Sequence, residues 1–177
     1  AQCVYLSLVS DTGSFTHGNT SAAVFTLAAR LVANGLDAAA IREKLDNQWS
    51  MPKTKLWGKL MQTLSLECDG TVAVCPVTME EIGSFGAVRE DLEGFAEQMR
   101  RIKGVRVAAL IRQDPGNRCK LSLRSSGSDD VRSVAALFGG GGHLNAAGAT
   151  IDDADMDAVT RQTIQAIQDI TFGAGEK

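Results

Sequence analysis

Hydrophobic positions change rhythm several times along the chain, and each rhythm predicts a different element. Val4 to Val9 (Val-Tyr-Leu-Ser-Leu-Val) is apolar on both faces, which predicts the buried strand of a parallel sheet, closed by Asp11-Thr12-Gly13-Ser14-Phe15. Val24, Phe25, Leu27, Ala28, Leu31 and Val32 fall on one broad helical face. That helix is capped by Thr20 or Ser21 and stops at Asn34-Gly35. Asp37 begins another helix, with Ile41 and Leu45 four apart. Pro52 marks a break and a new helix start, after which Leu56, Trp57, Leu60, Met61 and Leu64 face inward while Lys53, Lys55 and Lys59 turn outward.

Beyond Asp69-Gly70, a turn signal, the rhythm becomes that of strands. Thr71 to Val77 predicts one strand, and Thr78-x-x-Glu81 is a capping box for a short helix. A longer helix over about 89–102 carries Leu92, Phe95, Ala96, Met99 and Ile102 inward and ends at Gly104. Val105 to Gln113 and Arg118 to Ser125 form a hairpin through Asp114-Pro115-Gly116-Asn117, where proline then glycine suits a type II turn. In the second of these strands Leu121 and Leu123 point one way and Lys120, Ser122 and Arg124 the other. Asp129 or Asp130 caps a helix through Val131, Val134 and Leu137. A final helix, about 155–170, buries Met156, Val159, Thr163, Ile164 and Ile167.

Composition narrows the class. With 177 residues, 44% hydrophobic and 22% charged, the chain suits one globular domain or two small ones. A net charge of −3 argues against a general nucleic-acid coat. No apolar run approaches the roughly 18 residues of a membrane span and no secretory leader is recognisable, so no membrane partner is expected and the cytoplasm is the default. Cys3, Cys68, Cys75 and Cys119 show no C-x-x-C spacing and are expected as buried free thiols.

Three places carry candidate chemistry. Gly139-Gly140-Gly141-Gly142-His143-Leu144-Asn145 is the least ordinary stretch, because four successive glycines give up backbone entropy that needs a compensating reason. Without Cβ atoms, successive N–H groups can approach an anion, and His143 and Asn145 add side-chain donors. A glycine helix cap followed by a loop is the plainer alternative. Arg124 stands near a strand end with a fork able to grip a phosphate. Asp11 follows the first predicted strand, where a carboxylate can bind Mg²⁺ or Mn²⁺ or simply cap a turn. Asp-Thr-Gly-Ser is also the aspartic-protease triplet, but the helices that follow exclude the all-β chain that chemistry needs.

The glycine stretch, the Ser122-Leu123-Arg124-Ser125 segment and Leu8-Val9-Ser10-Asp11-Thr12-Gly13-Ser14-Phe15 with Asn19-Thr20-Ser21 together resemble the DHH/DHHA1 phosphoesterases, which include nanoRNase/pAp phosphatases. The resemblance implies an α/β fold, in which the end of a parallel-sheet DHH domain (a strand plus helices) precedes a mixed-sheet DHHA1 domain with flanking helices. It places a DHH remnant at 1–50, a connecting helix at 51–68, a DHHA1 substrate-binding domain at 69–172 and a disordered tail at 173–177. It implies a two-metal Mn²⁺ or Mg²⁺ site with Asp11 as one ligand, and a site where Arg124, Gly140, Gly141, Gly142, His143 and Asn145 hold a phosphate and nucleotide across an interdomain cleft. The family's His-x-Asp-x-Asp and Asp-His-His elements are absent, so the chain is expected to be a C-terminal portion, inactive without its DHH half and compatible with a homodimer. His17 matches no ligand position and is expected at the surface. Short oligonucleotides or a nucleotide bisphosphate, 3′-phosphoadenosine 5′-phosphate, are the expected substrates. A nucleic-acid-binding module without catalysis and a cyclic dinucleotide phosphodiesterase are the alternatives.

Overall fold

The computed structural model describes residues 1–16, 18–46 and 48–173, and divides the chain into two compact units, Ala1–Trp49 and Ser50–Lys177. His17 lies outside the described residues, as does the expected disordered tail apart from Gly173.

The first unit is helical: α1 (Gln2–Asp11), α2 (Ala22–Ala33) and α3 (Ala38–Asp46). The expected strand at Val4–Val9 is therefore a helix. Tyr5, Leu8, Val9 and Thr12 are its less exposed positions, three, four and seven residues apart, so the apolar run obeys a helical period. A run apolar on every side cannot be assigned to strand or helix by periodicity alone, and here the helix satisfies each backbone group locally. The predicted caps hold: the Val24 N–H donates to Ser21 Oγ, and the Ala40 N–H to Asp37 Oδ1 at 2.9 Å. Gly35, with φ at 87°, ends α2 in the left-handed region.

The second unit is a six-stranded mixed sheet between two helical layers. Its elements are α4 (Met51–Thr63), β1 (Ser65–Glu67), β2 (Val72–Val77), α5 (Met79–Ser84), α6 (Phe95–Arg100), β3 (Val107–Asp114), β4 (Arg118–Ser125), α7 (Val131–Leu137), β5 (Gly141–His143), β6 (Ala146–Ile151) and α8 (Met156–Ile167). The spatial order is β1-β2-β3-β4-β6-β5, with β2 and β3 parallel and every other pair antiparallel. Residues 51–68 hold both α4 and the strand β1, a three-residue strand that the hydrophobic pattern did not announce.

Two cores flank the sheet. Under α7 and α8 lie Val74, Ala109, Ile111, Leu121, Leu123, Val134, Val159 and Ile167. On the opposite side, Ala73, Cys75, Val77, Ala108 and Leu110 meet Leu56, Trp57 and Leu60 of α4, Ile82 of α5, and Phe95 and Met99 of α6. Among the described residues, that second core takes nothing from β4, β5 or β6. The helix expected over 89–102 is broken: Arg89–Leu92 is a 3₁₀ turn and α6 starts only after Gly94, whose φ of 84° no regular helix accommodates. Trp57 packs edge-on to Phe95 at 5.2 Å and donates its indole N–H to the Asp91 carbonyl at 2.7 Å, seating the break. The 107–125 hairpin turns through Gly116 at φ 78° and Asn117 at φ 53°, in a three-residue loop between the paired Asp114 and Arg118. In α7, Val131, Val134 and Ala135 are buried and Leu137 is 67% exposed. Cys3 is exposed and Cys68 half-buried, while Cys75 and Cys119 are buried; all four are free thiols. Burial pushes the Cys75 thiol up to about 12, which leaves it inert at neutral pH.

Candidate functional site

The strand register sets the site. Directly paired residues share a sheet face, so Ala108, Arg124, Ala146 and His143 form one cross-strand row, and Leu110, Ser122, Gly148 and Gly141 form the next. Both rows lie on the face that α4, α5 and α6 cover over β2 and β3; α6 also reaches over β4, so that the face opens towards β6 and β5. Arg124 and His143 thus stand on the same open face, two strands or about 10 Å apart, with only the Ala146 methyl between them. Gly148 and Gly141 beside them present bare backbone. The result is a cross-strand row in which small residues separate an arginine from an imidazole.

The glycine run is not a uniform loop. Gly139, with φ at 70°, ends α7, and Gly141–His143 is β5, the outermost strand, exposed along its length. Glycine is needed at Gly140 and Gly142 for packing as well as for access. A Cβ at Gly140 would collide with the Gly148 carbonyl oxygen, and one at Gly142 would lie 2.5 Å from that of Ala146. At Gly141 nothing lies within 4 Å, so its missing side chain leaves open space. As the edge strand, β5 pairs with β6 on one side and directs its remaining backbone groups outward.

Arg124 is half-buried, and among the described residues its guanidinium makes one hydrogen bond, from Nη1 to the Leu123 carbonyl at 2.8 Å. That leaves most of its five N–H donors for a ligand. His143 is exposed. Asn145 serves the fold instead, because its amide nitrogen donates to Ser125 Oγ at 2.9 Å and to the Gly127 carbonyl at 3.1 Å. Its backbone carbonyl accepts from the Ser125 N–H at 3.1 Å, and the Leu144 carbonyl accepts from the Val131 N–H at 3.0 Å. The β5–β6 turn is thereby pinned to the segment that follows Arg124, and the amide nitrogen expected to reach a ligand is spent on this brace.

Arg106 and Asp129 complete this support; Arg106 was not singled out in the sequence, and Asp129 only as an alternative cap for α7. Their bidentate pair joins the start of β3 to the 126–130 turn, with Asp129 only 6% exposed. The hydrogen bond to Asp129 holds the Arg106 guanidinium above its ordinary range. The ring of Phe172 lies 4.5 Å beneath the guanidinium. The consecutive Asp129-Asp130 was the available signal: Asp130 caps α7 by accepting from the Ser133 N–H, and Asp129 makes the ion pair. Hydrogen bonding from Ser133 holds the Asp130 carboxyl low.

In the other unit, Asp11 is the last residue of α1. Thr12 donates its hydroxyl to the Leu8 carbonyl and accepts from the Phe15 N–H at 3.0 Å. Gly13, Ser14 and Phe15 all have φ between 53° and 66°, a left-handed turn braced by the Asn19 amide on the Asp11 carbonyl at 3.0 Å. The Asp11 carboxylate is exposed. It is a suitable hard oxygen donor, but no group of three or more His, Cys, Asp or Glu able to hold a metal occurs among the described residues. These residues do not assemble a two-metal centre. No single helix among them is long and apolar enough to cross a membrane.

Comparison with known proteins matches this architecture to a family. Residues 69–169 match the DHHA1 domain, and the chain belongs to that family. It is 29% identical over 97% of its length to the bifunctional oligoribonuclease and PAP phosphatase NrnA of Thermus thermophilus. It is 26% identical over 94% of its length to the cyclic-di-AMP phosphodiesterase PdeA of Listeria monocytogenes. Among solved structures, an exopolyphosphatase-related protein of Bacteroides fragilis superposes over 98% of the chain with a TM-score of 0.90 and 30% identity. The chain spans about half the length of the Thermus and Bacteroides proteins (51% of each) and 24% of the Listeria one.

Proposed function

We propose that the chain is the substrate-binding portion of a metal-dependent phosphoesterase that hydrolyses short oligonucleotides or 3′-phosphoadenosine 5′-phosphate. The observation that carries this reading is the cross-strand row Arg124–Ala146–His143 beside the bare backbone of Gly148 and Gly141. The arginine fork grips a phosphate through paired charge-assisted hydrogen bonds. Outward groups of β5 add neutral donors, and the His143 imidazole orients the phosphate or the base beside it. Gly140 and Gly142 keep β5 close against β6, and Asn145 fixes the turn, so these three position the site. The relatives named as oligoribonuclease and phosphodiesterase support phosphate-ester substrates.

Asp11 is proposed as one ligand of the Mn²⁺ or Mg²⁺ that would activate water in the whole protein. On this reading the chain alone binds substrate without hydrolysing it. Titration calorimetry with adenosine 5′-monophosphate tests the binding role: Arg124→Ala is expected to weaken affinity at least tenfold, in line with roughly 1.5–3 kcal/mol for hydrogen bonds to a charged group. Unchanged affinity overturns the reading. Mn²⁺-dependent hydrolysis of a dinucleotide by the purified chain would overturn the inactivity.

A further inference from the structure

The open face continues beyond the row that carries Arg124 and His143. Further along it lie Arg112, Lys120 and Thr150, paired across β3, β4 and β6. Lys120 is four residues from Arg124 on the same strand and the same face, so the two cations stand about 13 Å apart along β4. Ser122 lies between them on β4 and the bare backbone of Gly148 beside it on β6, while α6 approaches β4 from the β3 side.

Charge pairing separates these two cations from their neighbours. Arg112 is taken up by Asp114, Arg118 by Asp152 and Arg106 by Asp129. Lys120 and Arg124 have no carboxylate partner among the described residues; Lys120 instead donates to Thr150 Oγ1 at 3.3 Å, which steadies the ammonium over the face. An anion laid along the face therefore meets two positive charges that no carboxylate pairs among the described residues.

We infer that Lys120, with the Thr150 hydroxyl, is a second phosphate subsite, and that the face takes a single-stranded oligonucleotide with one phosphate at Arg124 and another at Lys120. The inference rests on the Arg124 reading and deepens it by separating an oligonucleotide from a mononucleotide. Two cations on flexible stems about 13 Å apart address separate phosphates of one chain rather than a single group. A mononucleotide engages only the Arg124 end.

The test compares 5′-phosphorylated triadenylate with adenosine 5′-monophosphate on the 177-residue chain, by calorimetry over a series of salt concentrations. Lys120→Ala is expected to weaken the triadenylate about fivefold and to bring its affinity toward that of the mononucleotide. It should also flatten the dependence of log affinity on log salt by about 0.7, the increment for one phosphate contact on a single strand. Lys120→Arg, which keeps the charge, should restore both. Loss of mononucleotide binding in Arg124→Ala with Lys120→Ala indistinguishable from the parent overturns the second subsite and leaves the Arg124 reading standing. An equal loss of both ligands in Lys120→Ala also overturns it, because the lysine then belongs to the first subsite. Full binding of both ligands by Arg124→Ala overturns the underlying reading and this inference with it.

Discussion

In the β2–β3 half of the sheet, Val72 to Cys75 and Val107 to Ile111 are buried without interruption, whereas β4 alternates buried Cys119, Leu121, Leu123 with half-exposed Lys120, Ser122, Arg124. The same backbone geometry serves both halves. What differs is the covering: helices close both sides of β2 and β3, only partly reach over the Lys120–Arg124 side of β4, and lie on one side of β6 and β5. A continuous apolar run marks a strand enclosed by two layers, and strict alternation marks one with a face to spare. Within this unit the spare face carries every side chain proposed to touch a ligand.

The sharpest way to break this comparison is to mutate adjacent residues of β4. Leu121→Ala removes a fully buried side chain and is expected to cost about 2–5 kcal/mol in urea denaturation. Ser122→Ala, one residue along and on the Arg124 side of the strand, is expected to change stability by no more than about 0.5 kcal/mol. Similar losses at both positions would mean that the β4 face is fully covered after all.

The glycine run allows the next contrast. Gly140→Ala forces a Cβ into the Gly148 carbonyl and Ala149, and is expected to cost about 1–3 kcal/mol. Gly141→Ala meets open space and should leave the melting temperature nearly unchanged while weakening nucleotide binding by filling that space. Asn145→Ala removes the donor shared by Ser125 and Gly127, for an expected loss of about 1–2 kcal/mol. Because that donor registers the Arg124 end against β5, calorimetry should show weaker nucleotide affinity as well.

The smallest expected effect is electrostatic. The Arg112 guanidinium beside Asp114 holds its carboxyl below the usual carboxylate range. Its stabilising contribution is therefore complete above the unfolded value near pH 4, and is lost as pH falls through the lower folded value. Asp114→Asn should flatten the acid limb of a stability-versus-pH curve and leave the neutral plateau little changed.

Much of this unit was legible in the pattern of residues. The period of two along β4, the proline–glycine turn at 115–116 and the caps at Thr78 and Asp130 are local signals, and each is realised where it occurs. The misreadings share a cause. Val4–Val9 is apolar on both faces and so reads equally as strand or helix, and the 89–102 helix hides a break seated by Trp57, more than thirty residues earlier. Arg124 and His143 were legible as chemical types, but their common face depends on the β4–β6–β5 register, a non-local fact. Asn145 looked like a ligand donor because an exposed amide after glycines resembles one; its partners, around twenty residues earlier, turn it into a brace.

Both margins of the sheet are stubs, Ser65–Glu67 on one side and Gly141–His143 on the other, each three residues long. An intruding strand would find so few free peptide groups at either margin that it could form hardly any ladder before running out of template. The broad open face can therefore remain wet and accessible at high protein concentration without inviting the sheet to extend sideways into fibrils.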